Sequence, residues 1–171
     1  MRRWKWVVWA VLPLLTFLGF GSAAAGSVDQ VTTDIIILIA SGATLTLGTN
    51  VINFPNADPD TTPSIPASQN PVTVRCRVTG ASNSNVTLNV QASGNLVSGG
   101  NSIPISKVSW TATGTGYSPG TMNTTSVLAG SWPNTAGNNN LNGTFSYFLQ
   151  NAWTYATGNY TATVTYTLTA P

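Results

Sequence analysis

The sequence predicts an all-β fold. Three observations carry that prediction: apolar and polar residues alternate at period two, no stretch beyond residue 25 keeps a helical period, and turn formers punctuate strand formers. The chain holds 16 glycines, 10 prolines, 17 asparagines and 26 threonines, while 42% of its residues are hydrophobic and 6% charged. That hydrophobic share is enough to bury a core, and the low charge sets the chain apart from disordered sequences. Many short strands joined by turns are therefore expected, arranged as an Ig-like antiparallel β-sandwich preceded by a signal peptide.

Residues 1–25 read as the signal peptide. Arg2, Arg3 and Lys5 form a positive start, an apolar run extends from Trp6 to Phe20, and Ala23, Ala24 and Ala25 offer small side chains at a processing site. Cleavage is expected before Gly26. The alternative is an uncleaved anchor, since the run is just long enough to span a bilayer, although Pro13 interrupts it. On the first reading the chain meets a membrane only during export. Removing the signal leaves Arg75, Arg77 and Lys107 against Asp29, Asp34, Asp58 and Asp60, a slight negative excess. No basic patch remains to neutralise phosphates, so nucleic acid is not an expected partner.

Residues 26–42 form an N-terminal apolar strand, in which Val31, Thr33, Ile35, Ile37 and Ile39 share one face. A run this apolar and β-prone must be paired and buried. Two pairings are open. It is either the first strand of its own sandwich or a donor strand that completes a neighbour's sheet, and on the second reading Val31, Ile35, Ile37 and Ile39 are the subunit-binding residues.

Residues 43–171 are the sandwich domain. Strands are expected at Ala43 to Leu47, Val72 to Val78, Val86 to Ala92, Ile103 to Trp110, Ser126 to Leu128, Phe145 to Leu149 and Tyr160 to Thr169. Between them, Gly48 to Pro71 carries five prolines and reads as an irregular crossover or edge segment, because proline cannot donate to a ladder. Trp132 to Asn142, with three asparagines at its centre, reads as an exposed loop. In the second strand Val72, Val74, Cys76 and Val78 face inward, making Cys76 a buried small hydrophobe, with an intermolecular or reactive thiol as the alternative. Arg75 and Arg77 point the other way, to solvent.

Catalytic constellations are missing from the sequence. It contains no histidine and no glutamate, so a Ser-His-Asp or Cys-His arrangement cannot be built and the commonest zinc ligand is absent. No enzyme, no catalytic residue, no metal and no cofactor is expected. Asp58 and Asp60 are read as an Asp-Pro turn ahead of a calcium site, since the setting lacks the glycine and terminal glutamate of an EF-hand loop. The sequons at Asn85, Asn123, Asn142 and Asn159 are matches of the kind an Asn- and Thr-rich chain produces by chance. Among the aromatics, Trp110 and Tyr147 sit in alternating strands and are expected in the core. Trp132 and Trp153 are the candidate ligand-binding aromatics, able to stack on sugar rings if exposed.

The run Gly158-Asn-Tyr-Thr-Ala-Thr-Val-Thr-Tyr-Thr-Leu-Thr-Ala-Pro171 resembles the closing strand of bacterial WxL surface domains, with Tyr166 standing where their motif has tryptophan. That resemblance implies non-covalent attachment to the cell wall. The order of Leu45-Thr-Leu-Gly-Thr49, the proline-rich stretch, Val72-Thr-Val-Arg-Cys76 and the Gly-x-Tyr-Thr strand is similar to spore-coat-protein-U-type pilin domains. These are secreted Ig-like sandwiches assembled by chaperone and usher through donor-strand exchange; their earlier cysteine, partner to the position of Cys76, has no counterpart here. The expectation is a secreted or cell-surface bacterial protein, a structural subunit of a surface appendage or coat. Its expected partners are further copies or other surface subunits. The alternative is a module binding cell-wall or other polysaccharide.

Overall fold

The structure, a computed structural model, describes residues 42–79, 85–133 and 138–170. The signal segment and the candidate donor residues Val31, Ile35, Ile37 and Ile39 lie outside the described residues. Among the described residues eleven strands follow one another: β1 (Ala43–Leu47), β2 (Ser64–Pro66), β3 (Val72–Thr79), β4 (Val86–Ala92), β5 (Leu96–Ser98), β6 (Asn101–Ile103), β7 (Val108–Thr113), β8 (Gly120–Thr121), β9 (Val127–Trp132), β10 (Asn138–Gln150) and β11 (Val164–Thr169). The one helical element among the described residues is a 3-10 turn at Ile105–Lys107. The expected all-β fold is what forms.

Every strand pairing among the described residues is antiparallel. The larger sheet runs β1-β3-β10-β7-β8, with β2 also on β10; the second runs β11-β4-β9; β5 and β6 form a separate hairpin. Alternation decides which way each strand faces. In β3 the side chains of Val72, Val74, Cys76 and Val78 are buried and those of Thr73, Arg75 and Arg77 exposed, as a half-buried strand requires. β4 does the same with Val86, Leu88, Val90 and Ala92. The two inner faces meet around Phe145, whose ring lies 5.7 to 6.5 Å from those of Trp110, Tyr117, Tyr147 and Tyr166. Such tilted and offset aromatic contacts add to the area they bury.

Four segments depart from the sequence reading, each for a physical reason. The expected strand from Ile103 to Trp110 breaks at Pro104, which has no N–H to give a ladder; Lys107 N–H closes the 3-10 turn on the Pro104 carbonyl at 3.0 Å. The run from Tyr160 to Thr169 is divided. Its first part leaves the sheet to exchange hydrogen bonds of 3.0 Å between Thr161 and Val97 of β5, and only Val164–Thr169 pairs with β4. Asn138, Asn139 and Asn140, expected in a loop, are strand residues paired with Thr79, Val78 and Arg77. Weak β-propensity yields there to a long neighbouring ladder. β9 extends past the expected Ser126 to Leu128 as far as Trp132, and its register shifts between Leu88 and Asn89 of β4, so that Ala129 is an extra, buried residue.

The proline-rich segment behaves as an edge. Its only strand, β2, takes over the edge of β10 that β3 leaves. Between the two ladders the Asn70 side chain substitutes for a strand: its Nδ2 donates to the Tyr147 carbonyl and its Oδ1 accepts from the Tyr147 N–H, both at 2.8 Å. Buried backbone groups in the gap are thereby satisfied.

Candidate functional site

Among the described residues the two sheets are hydrogen-bonded to each other along one side and not along the other. On the closed side the segment before β8 is joined to β9 by backbone bonds: Ser118 N–H to the Ala129 carbonyl and Ser131 N–H to the Gly116 carbonyl, both 2.9 Å. On the other side β1 and β11 are the outer strands, and neither has a second ladder partner among the described residues. They approach each other. Beyond them a cavity of about 1220 Å³ opens, with Leu47, Val72 and Tyr147 on one wall, Val164 and Tyr166 on the other, Ile52 and Phe54 from a surrounding loop and Leu96 from β5.

Tyr147 and Tyr166 both line this cavity, and their hydroxyls meet at 2.6 Å. Both rings are more than nine-tenths buried, at 3% and 7% exposure. Two hydroxyls carry two hydrogens and this contact uses one, so the other has no acceptor among the described residues. Burial, then the neighbouring phenol, holds Tyr147 far above the ordinary phenol value, and burial pushes Tyr166 up to about 12. Both stay neutral donors at any physiological pH.

The rim carries Trp153, 69% exposed. Its indole is held in place. Nε1 donates to Asp60 Oδ1 at 2.9 Å, and the Asp60 N–H donates to Asp58 Oδ1 at 2.9 Å. Asn151 stitches the two loops together, its Nδ2 donating to the carbonyls of Ala57 at 2.9 Å and Thr62 at 3.1 Å. Asp58 and Asp60 thus form the turn that the Asp-Pro sequence suggests, and Asp60 gains a second task as the indole's acceptor. The pairing of Asp60 with Trp153 joins residues 93 apart in the chain and left no signal in the sequence.

Trp132 is a correction. Expected on the surface, it is 4% exposed and belongs to the closed side. Its ring lies edge-on to Tyr117 at 4.8 Å, and Nε1 donates to the Thr115 carbonyl at 2.6 Å. The slot exists because a side chain is missing at two places. A Cβ on Gly116 or on Gly130 would run into the indole, and Gly116 has φ of +82°, which other residues avoid. Of the two candidate tryptophans, then, one is core and one is surface, and they do not share a site.

Cys76 is fully buried, with Sγ 3.6 Å from the Tyr117 hydroxyl. Burial pushes its thiol up to about 11. A thiol held protonated and out of solvent is inert, in keeping with a small hydrophobe. Arg75 and Arg77 are exposed, and Arg75 Nε donates to Asn142 Oδ1 at 3.2 Å. Among the described residues no helix is long and apolar enough to cross a membrane. Comparison of this chain with known protein families, curated proteins and solved structures finds no match.

Proposed function

We propose that this chain is a secreted, non-enzymatic structural subunit of a surface appendage or coat, Ig-like in fold, which assembles by adding a strand at an open sheet edge. The observation that carries the proposal is the open side: among the described residues β1 and β11 are both outer strands, and apolar side chains form part of the wall of the cavity beside them. Bare strand edges are templates for pairing with another chain. The apolar segment that precedes β1 has the right pattern to use them. An extended strand rises roughly 3.3 Å per residue. Laid along such an edge, Val31, Ile35, Ile37 and Ile39 of a neighbouring copy would present one apolar face to the cavity. Peptide carbonyls of that strand would also be acceptors for the spare phenolic hydrogen.

Electron microscopy and size-exclusion chromatography of the exported protein test this. Filaments or large assemblies are expected, lost on deletion of residues 27–40 and on Ile37→Asp. A synthetic peptide of that segment should cap subunits and shorten the assemblies. Assemblies unaffected by both changes would sink the proposal.

A second reading, a surface module that holds polysaccharide, is supported by the exposed and anchored Trp153.

A further inference from the structure

We propose that Trp153 and Asp60 together form a binding site for a neutral pyranose unit of a polysaccharide, the indole taking the face of the ring and the carboxylate one of its hydroxyls. The inference rests on the second reading above and names its site and ligand class. It starts from a cost. Of the large apolar side chains exposed among the described residues, Trp153 is the most exposed and the only aromatic; Val97 and Leu128 are each 49% exposed. An indole face left in water loses the gain of burial that brings most tryptophans into cores, as it brings Trp132 here.

Trp153 is also oriented, which a merely tolerated surface residue need not be. The bond from Nε1 to Asp60 Oδ1 fixes the ring plane, the Asp58 carboxylate fixes Asp60, and Asn151 fixes both loops. A ligand therefore meets a surface whose side-chain freedom is already spent, and association is favoured by that saving.

The chemistry on each side selects the ligand. A pyranose ring has an apolar C–H face bordered by hydroxyl donors. The indole suits the face. Asp60 uses Oδ1 for Trp153, and its second oxygen has no partner among the described residues, so it can accept a hydroxyl hydrogen in a charge-assisted bond. Asp58 and Asp60 make the rim negative, so uronic acids and phosphate-bearing polymers are repelled. An acyl chain would gain from the indole but would leave the carboxylate without a partner. An aromatic or proline-rich peptide would stack on the indole without the hydroxyl contact, and it serves as a competing outcome of the test.

The exported full-length protein would be titrated with chitohexaose and with cellohexaose, following indole fluorescence and calorimetry, with polygalacturonate and a proline-rich peptide as comparators. Binding of a neutral oligosaccharide with a shift in indole emission is expected. Trp153→Ala should weaken it about tenfold or more, Trp153→Phe less, and Asp60→Asn severalfold, with melting temperatures close to that of the parent. Binding that Trp153→Ala leaves intact overturns this site while the polysaccharide reading survives. No binding to either oligosaccharide overturns both, and preference for polygalacturonate or the peptide overturns the ligand class.

Discussion

Trp132 and Trp153 lie on opposite sides of the same all-β domain and have opposite fates. On the closed side, the segment before β8 is hydrogen-bonded to β9, the Trp132 indole fills a slot made by two glycines, and its N–H ends on a backbone carbonyl. On the open side the chain is rich in proline and asparagine, a cavity of about 1220 Å³ separates the walls, and the Trp153 N–H ends on a surface carboxylate. The first arrangement uses its aromatic to exclude water. The second leaves its aromatic in water, fixed in place. The difference teaches that burial follows from what surrounds a residue, and that the open side is where a partner has something to gain.

The largest effect that would sharpen this contrast is on the closed side. Trp132→Ala or Phe145→Ala should each lower stability by about 3–5 kcal/mol, read as a shift in the urea midpoint, because each leaves a hole that close-packed neighbours cannot fill. A small shift at Trp132 would break the comparison.

Alkaline destabilisation comes next. Cys76, Tyr117, Tyr147 and Tyr166 all hold their protons more tightly folded than unfolded, foremost through burial. The folded state therefore binds more protons, and stability falls as pH rises. It is fully present below the ordinary thiol value of 9.0 and is lost through about 11 for Cys76 and about 12 for Tyr166. Thermal melts across that range should show a steady decline, shallower in Cys76→Ala. A flat profile would mean that these groups are not shielded from water.

The tyrosine pair gives a smaller effect with a distinctive signature. Tyr166→Phe or Tyr147→Phe alone should cost about 1 kcal/mol, since either strands a buried hydroxyl, while the double change should cost less than their sum. Additive losses in a double-mutant cycle would mean that the pair does not act as a unit. Least of all, Trp153→Ala should change stability by no more than about 0.5 kcal/mol, as surface substitutions usually do. A large loss there would make Trp153 structural and remove the contrast with Trp132.

Much of the core was legible in the residues. Val72 to Val78 and Val86 to Ala92 alternate in the sequence, and β3 and β4 bury those same positions. Cys76 was placed by the same pattern. Trp110 and Tyr147 also fell in the core as expected. The candidate site was half legible. Trp153 could be singled out as an aromatic among polar residues, but Asp60 could not, because nothing local ties it to a residue so distant in the chain. Trp132 was misplaced because Pro133 and the asparagines after it look like a loop, whereas its environment comes from Gly116 and Gly130.

The sequence by itself determined the inward faces of β3 and β4, since alternation is a local property that any half-buried strand must obey. It also determined the absence of histidine and glutamate, which limits the chemistry before any fold is known. Only the tertiary structure decided that three consecutive asparagines become a strand, that one tryptophan is buried and another exposed, and that a cavity lies beside β1 and β11. Those outcomes depend on contacts between residues far apart in the chain, where a missing side chain at one position makes the room for a large one at another.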